Sequence, residues 1–267
     1  MTMQFVTMAD GAKLACYRHG TGTPVLLLSG LGGTAAFWSP LVEKQAEQWN
    51  MITLDQRGIG KSSRGQVKIT IRQLADDCLH VLDALGIEAC IMIGHSTGGV
   101  ITQDLAARHP DRIKAIVLSG SWLKSHFYVE ALFKQRLALL QTMPEAYQAF
   151  GVLLGYTPEW ICKHWLVYEK ALENGPQSAQ AVEVIRERIE ALLAFDGSTA
   201  IEHLQMPALV LGARDDAIIP SPLQKELHRA LPNSRLELLE AGGHFFPVTR
   251  LEESVAVIIK FMDTING

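Results

Sequence analysis

Two hydrophobic periods alternate along the chain. Short, almost uninterrupted apolar runs occur at residues 24–29 (PVLLLS), 51–54 (MITL), 89–93 (ACIMI), 115–118 (AIVL) and 208–211 (ALVL). Their length and lack of a polar face predict strands buried on both sides. Two earlier β-rich runs, 4–7 and 13–17, flank Asp10-Gly11, a hairpin-type turn signal, and a weaker last run covers 236–239. Helical spacing fills the intervals. Over 71–85 the apolar positions Ile71, Leu74, Ala75, Cys78, Leu79, Leu82 and Leu85 keep the three-four rhythm of an amphipathic helix. Thr70, with Gln73 three residues on, predicts a capping box at its start, and Gly86 stops it. Strands alternating with helices predict an α/β fold with a mostly parallel central sheet flanked by helices. In such sheets ligands bind at the carboxyl ends of the strands, so the residues just after each apolar run are the ones to inspect.

One stretch breaks the alternation. Residues 122–200 hold no convincing β run but three helical pieces, at 128–142, 159–173 and 178–195. A helical cap inserted after one strand is expected there, leaving 1–121 and 201–267 as the core. Phe127, Trp122 and Trp160, with Phe37 or Trp38, are the aromatics expected to line a pocket under it. Arg136 and Lys124 are candidate partners for a substrate carboxylate.

The 267 residues, 48% hydrophobic and 19% charged, suffice for one compact domain with a large core. A net charge of −4 without a basic cluster argues against nucleic acid or an anionic membrane as partner. Cys16, Cys78, Cys90 and Cys162 are scattered, with no C-x-x-C spacing, so neither a disulfide framework nor a zinc site is expected, in keeping with a reducing cytoplasm. The first twenty residues lack the basic start and apolar run of a secretory signal, and no stretch approaches the ~18 apolar residues needed to span a bilayer. The expectation is a cytoplasmic protein acting on a small molecule, with no cofactor and no metal; self-association stays open.

The chemistry concentrates in three places. Gly94-His95-Ser96-Thr97-Gly98 fits G-x-S-x-G, follows an apolar run and opens a helical stretch at 98–108, the strand–turn–helix setting of a nucleophile elbow. Ser96 is the candidate nucleophile. A serine hydroxyl needs a base, and of the nine histidines most fall on helix surfaces or ends (His80, His109, His164, His228), or in an early loop (His19). His244 lies instead in a glycine-flexed loop past the final strand, where it can lean over the sheet edge. The acid that orients the imidazole should follow an earlier strand, and the segment after 208–211 supplies both Asp215 and Asp216. Two backbone N–H groups are needed for the oxyanion. Thr97 follows the nucleophile, and Leu31, between Gly30 and Gly32, is the second candidate.

With these residues in place, the chain resembles the α/β-hydrolase family over essentially its whole length. The matching landmarks are residues 29–33 (SGLGG), 55–62 (DQRGIGKS), 94–99 (GHSTGG), 216–220 and Gly243-His244. The order serine, acid, histidine is that of the family. Its habit of placing the acid four residues before a proline favours Asp216 over Asp215. Within the family the chain is similar to 3-oxoadipate enol-lactonases and to aminoacrylate hydrolases of pyrimidine breakdown, through Trp38 after the glycine loop, Trp122 after a strand, and residues 156–160 (YTPEW). That resemblance implies hydrolysis of a small acid-bearing ester, enol-lactone, enamine or amide. In the aminoacrylate group the nucleophile position is often not serine; the intact Ser96 points to acyl-enzyme chemistry. Three rivals are weighed against it. The same triad can cleave carbon–carbon bonds of ring-fission products, and a ligand-binding module could use the fold without catalysis. Cofactor-free dioxygenase relatives carry an acid after the strand before the cap, where this chain reads Ser119-Gly120-Ser121-Trp122.

Overall fold

The computed structural model describes residues 2–266. Eight strands form one sheet: β1 Thr2–Thr7, β2 Lys13–His19, β3 Thr23–Leu28, β4 Trp49–Leu54, β5 Cys90–His95, β6 Ile113–Ser119, β7 Ala208–Ala213 and β8 Ser234–Leu239. Their order is β1-β2-β4-β3-β5-β6-β7-β8, antiparallel at β1/β2 and β2/β4 and parallel elsewhere. Every apolar run of the sequence is a strand. The helices are α1 Ser39–Gln45, α2 Ile71–Ala84, α3 Thr97–Arg108, α4 Phe127–Thr142, α5 Pro144–Gly155, α6 Pro158–Lys163, α7 Trp165–Glu173, α8 Ala179–Leu193, α9 Ser221–Ala230, α10 Phe246–Thr249 and α11 Leu251–Asn266.

The two faces of the sheet explain the uninterrupted apolar runs. Successive side chains of a strand point to opposite faces. On β3, Leu26 and Leu28 pack with Leu74 and Cys78 of α2, Ile101 and Leu105 of α3 and Leu227 of α9. Val25 and Leu27 face the other way, into a cluster with Leu41 and Val42 of α1 and Val255, Ile258 and Phe261 of α11. A strand sandwiched in this way has no solvent face on which to place a polar residue.

Helices α4–α8 all lie between β6 and β7. Their own cluster, with Phe133, Leu140, Tyr147, Ile189 and Leu192, closes onto Val100 of α3 and onto Ile218 and Ile219 beyond β7. Several local readings need correction. The helix expected at 159–173 is two, broken at His164, and the sequence pattern missed α5 altogether. His19 ends β2 rather than sitting in a loop. The capping box at α2 is half formed: Thr70 Oγ1 accepts from the Gln73 N–H at 3.0 Å, but the Gln73 side chain turns forward to Asp77 at 3.0 Å. Three thiols, Cys16, Cys78 and Cys90, are buried, and burial pushes Cys16 and Cys90 up to about 12. Among the described residues no helix is long and apolar enough to cross a membrane.

Candidate active site

Ser96 stands between β5 and α3 with φ 55° and ψ −121°, the one non-glycine residue with positive φ among the described residues. The turn is possible because its neighbours lack side chains. A Cβ on Gly94 would lie 2.3 Å from the Gly98 carbonyl oxygen, and one on Gly98 2.3 Å from that of Leu28. The Ser96 N–H donates to the Ser119 carbonyl at 2.8 Å, pinning the elbow to β6. Its hydroxyl is thereby presented at the N-terminus of α3, where unpaired N–H groups favour negative charge.

His244 lies between β8 and α10 and is 3% exposed. Its Nδ1 is 2.8 Å from Oδ2 of Asp216, also 3% exposed. A carboxylate only accepts, so Nδ1 carries the proton and Nε2 is left as the basic nitrogen. The other oxygen of Asp216 accepts from the N–H groups of Ile218 at 2.9 Å and Ile219 at 2.8 Å, which hold the carboxylate in place. Asp215 turns the other way. Its two oxygens accept from the N–H groups of Gly242 and Gly243, at 3.0 and 2.9 Å, and so brace the loop that carries His244. The two neighbouring aspartates therefore do different things, and it is Asp216, the one favoured by the spacing to Pro220, that meets the imidazole.

Ser96, His244 and Leu31 line one cavity of about 620 Å³ between the carboxyl ends of the strands and helices α4–α8. Ser96 Oγ makes no hydrogen bond to His244 in this structure, although both line the cavity. Thr97 N–H is the first of α3 and has no intrahelical partner. The glycine loop approaches closely: a Cβ on Gly30 would sit 3.2 Å from that of Ser96. His95, beside the nucleophile, is fully buried with its ring 4.8 Å from that of His244 and stacked 4.9 Å from Phe37. Burial, and then the neighbouring His244, hold its pKa well below the ordinary imidazole range.

The expected pocket aromatics are mostly elsewhere. Phe37 does line the cavity. Trp38 and Trp122 are core residues, at 2% and 0% exposure, and Phe127 points to solvent at 83%. Trp160 stacks 4.1 Å behind Tyr156, which lines the wall in its place with Phe133, Tyr147 and Phe245. Nothing in the linear pattern distinguishes these rings from packing residues. Of the two cation candidates, Lys124 bridges to Asp196 through its backbone, whereas Arg136 reaches the cavity. The Arg136 guanidinium lies 4.8 Å from the Tyr147 ring centre and 5.3 Å from that of Phe133, and Gly151 leaves it room, since a Cβ there would stand 3.2 Å from Nη2. Lys170 is the other cation of the wall, and no Asp or Glu lines it.

Residues 23–251 match the family model described as alpha/beta hydrolase fold. A protein of Azorhizobium caulinodans named "Putative carbamate hydrolase RutD" is 34% identical over 229 residues, covering 85% of this chain and 86% of its own. One of the same name from Caulobacter vibrioides is 35% identical over 243 residues, 90% of each. Among solved structures, the enol-lactonase from Burkholderia xenovorans LB400 superposes with a TM-score of 0.88 over 97% of this chain and 100% of its own, at 23% identity. A thermophilic esterase from Thermogutta terrifontis does so at 0.87 over the whole of both chains, at 22% identity. With a sheet of this order, an elbow of this geometry and relatives matched over most of their length, the chain belongs to the α/β-hydrolase family.

Proposed function

We propose that this chain is a serine hydrolase that cleaves a small, acid-bearing carboxylic ester, enol-lactone or related amide or carbamate through an acyl-enzyme. The observation that carries this reading is the strained Ser96 facing the same cavity as an imidazole whose far nitrogen is held by a buried carboxylate. In the proposed mechanism Ser96 Oγ attacks the substrate carbonyl while His244 Nε2 takes its proton and Asp216 stabilises the imidazolium. The oxyanion lies between the N–H groups of Leu31 and Thr97. His244 returns the proton to the leaving group; it then takes one from a water that attacks the acyl carbonyl and passes it to Ser96 Oγ as the acyl–oxygen bond breaks and the acid leaves. No cofactor takes part in these steps.

Residues 122–200 act as the cap in this reading, and the cap supplies the substrate's anchor. Arg136 is half-buried against two aromatic rings, pairs with no carboxylate among the described residues, and faces a wall without acids, so a substrate carboxylate is its natural partner. The relatives named for carbamates add that acyl class to the esters and lactones suggested by the sequence resemblance.

Turnover of paired p-nitrophenyl esters, one ending in a free carboxylate and one in its methyl ester, tests both parts. Ser96→Ala should lower kcat by roughly 10⁴ or more on either member, the scale seen when a triad residue is removed. Near-full activity in that variant would end the acyl-enzyme reading. Arg136→Gln should cut the preference for the charged ester about tenfold or more, the worth of a charge-assisted hydrogen bond.

A further inference from the structure

Beneath the glycine loop 30–33 a polar chain runs from helix α8 into the core. Arg188 on α8 is fully buried, and its Nη2–H donates to Oε1 of Gln56, itself 2% exposed. Gln56 Nε2 donates in turn to the Ser29 carbonyl at 2.7 Å. A guanidinium can only donate and a carbonyl can only accept, so these two contacts dictate which way round the Gln56 amide lies. Ser29 is the residue from which the glycine loop departs. Its hydroxyl donates to the Gly33 carbonyl at 2.9 Å, so the loop is tied at its start by Gln56 and at its end by Ser29 itself. Above the loop there is no slack, because Gly30 packs against the Cβ of Ser96.

Arg188 is held there at a cost. A guanidinium taken out of water needs a carboxylate in contact, and none pairs with it among the described residues. Its Nε and Nη1 find no hydrogen-bond partner in the protein. Asp77, the acid whose charge reaches Arg188, is engaged by Arg57 and by Gln73. Burial drags the Arg188 pKa down to about 10 in spite of Tyr147, Asp77 and Cys78. Removing such a charge from a core often leaves stability unchanged or raises it, so folding alone is a poor account of its presence.

We propose that Arg188 and Gln56 are positioning residues for the oxyanion site. Arg188 sets the orientation of the Gln56 amide, and Gln56 holds the Ser29 carbonyl so that the glycine loop keeps Leu31 N–H aimed at the carbonyl oxygen of a substrate on Ser96. Without Arg188 the Gln56 oxygen loses the donor that anchors it, the amide is no longer held at both ends, and the Ser29 carbonyl and the loop that departs from it can shift away from the nucleophile.

The inference rests on the serine-hydrolase reading, and the experiment separates the two. A fluorophosphonate probe is added to the wild type, Arg188→Met, Gln56→Leu and Gln56→Glu, with thermal unfolding and p-nitrophenyl acetate turnover followed in parallel. Labelling of wild-type Ser96 tests the serine reading; an unlabelled Ser96 overturns that reading, and this inference with it. With Ser96 labelled, Arg188→Met and Gln56→Leu should react at least about tenfold more slowly and lose kcat rather than gain KM, because phosphonylation and acylation both build charge at the oxyanion site. Arg188→Met should not lower the unfolding temperature. Gln56→Glu is the sharpest arm: its carboxylate keeps a partner for Arg188 but has no N–H for Ser29, so it should be as slow as Gln56→Leu. Wild-type labelling rates in Arg188→Met, or full rescue by Gln56→Glu, would overturn the positioning role while leaving the serine reading intact.

Discussion

Ser96 occupies a backbone conformation that L-residues avoid, and such strain survives only where the surroundings over-determine it. Here the surroundings are backbone atoms packed against Gly94 and Gly98, which cannot rotate out of the way as a side chain could. Gly98→Ala should therefore destabilise the protein by about 1–3 kcal/mol or more, read as a drop in the urea midpoint, because the Leu28 carbonyl has nowhere to go. His95, one residue away, makes stability depend on pH. Its folded pKa is depressed, so the unfolded chain, which protonates at about 6.5, takes up a proton that the folded one refuses. Stability should thus be full above pH ~6.5 and fall as pH drops from there toward the folded pKa, with this one group contributing up to about 1.4 kcal/mol per pH unit. Unfolding curves of the wild type and His95→Gln between pH 7.5 and 5 check this; the variant should lose that part of the slope. At this scale the sequence was legible where the requirement is local. A glycine–serine–glycine turn or a glycine-flexed histidine loop declares itself within five residues. The residues alone leave Asp215 and Asp216 open, and only the family's spacing to Pro220 favours Asp216, because the roles depend on which carboxylate meets residues 242–244, almost thirty positions away. The pocket rings were illegible for a related reason: Trp122 and Phe127 differ in burial by nearly their whole surface, and only the packing of α4–α8 decides it.

Among the elements, the strands were the most readable, since a run buried on both faces admits few polar residues. The helices between β6 and β7 were the least. Pro144–Gly155 shows no clean polar face to mark it, because its exposed positions include Phe150 and Leu153 while Tyr147, Ala149 and Val152 face inward. The break at His164 comes without a proline or glycine. What joins the elements is also invisible in any one of them. Arg57, after β4, is 1% exposed and donates through Nε and Nη2 to both oxygens of Asp77 on α2, at 2.8 and 2.7 Å. Its Nη1 reaches Asp10 in the β1–β2 turn at 2.7 Å. Three elements distant in sequence are thus fastened by one guanidinium. Asp77→Ala should cost about 3–5 kcal/mol, the price of leaving a buried cation half unpaired, and chemical denaturation will measure it. By the same logic Asp10→Asn should cost less, since Asp77 keeps its two contacts to the guanidinium.

For the molecule as a whole, the decisive seam is the one between the helical insertion and the loop that carries His244. Gly155, the last residue of α5, accepts from the Phe245 N–H at 2.9 Å, and a Cβ on Gly155 would stand 2.2 Å from the Phe245 ring. A Cβ on Gly243 would in turn lie 2.7 Å from the Gly155 carbonyl oxygen. The insertion is therefore not merely laid over the sheet; its backbone is hydrogen-bonded to the residue next to the proposed base, with glycine on both sides of the contact. A single methyl at 155 must push on Phe245, and Phe245 adjoins His244 in sequence and in space, with ring centres 5.5 Å apart. A shift of about 1 Å at a catalytic group can cost on the order of 10²-fold in rate. Gly155→Ala should accordingly lower kcat on p-nitrophenyl esters by about tenfold or more while the far-UV spectrum and unfolding transition stay near wild type. If the damage travels through the ring, Phe245→Ala in the same chain makes room for the new methyl and should recover part of the lost rate, so the two substitutions together would cost less than the sum of their separate effects. Additive losses would mean that the insertion and the histidine loop act independently, and that the contact at Gly155 only closes the surface.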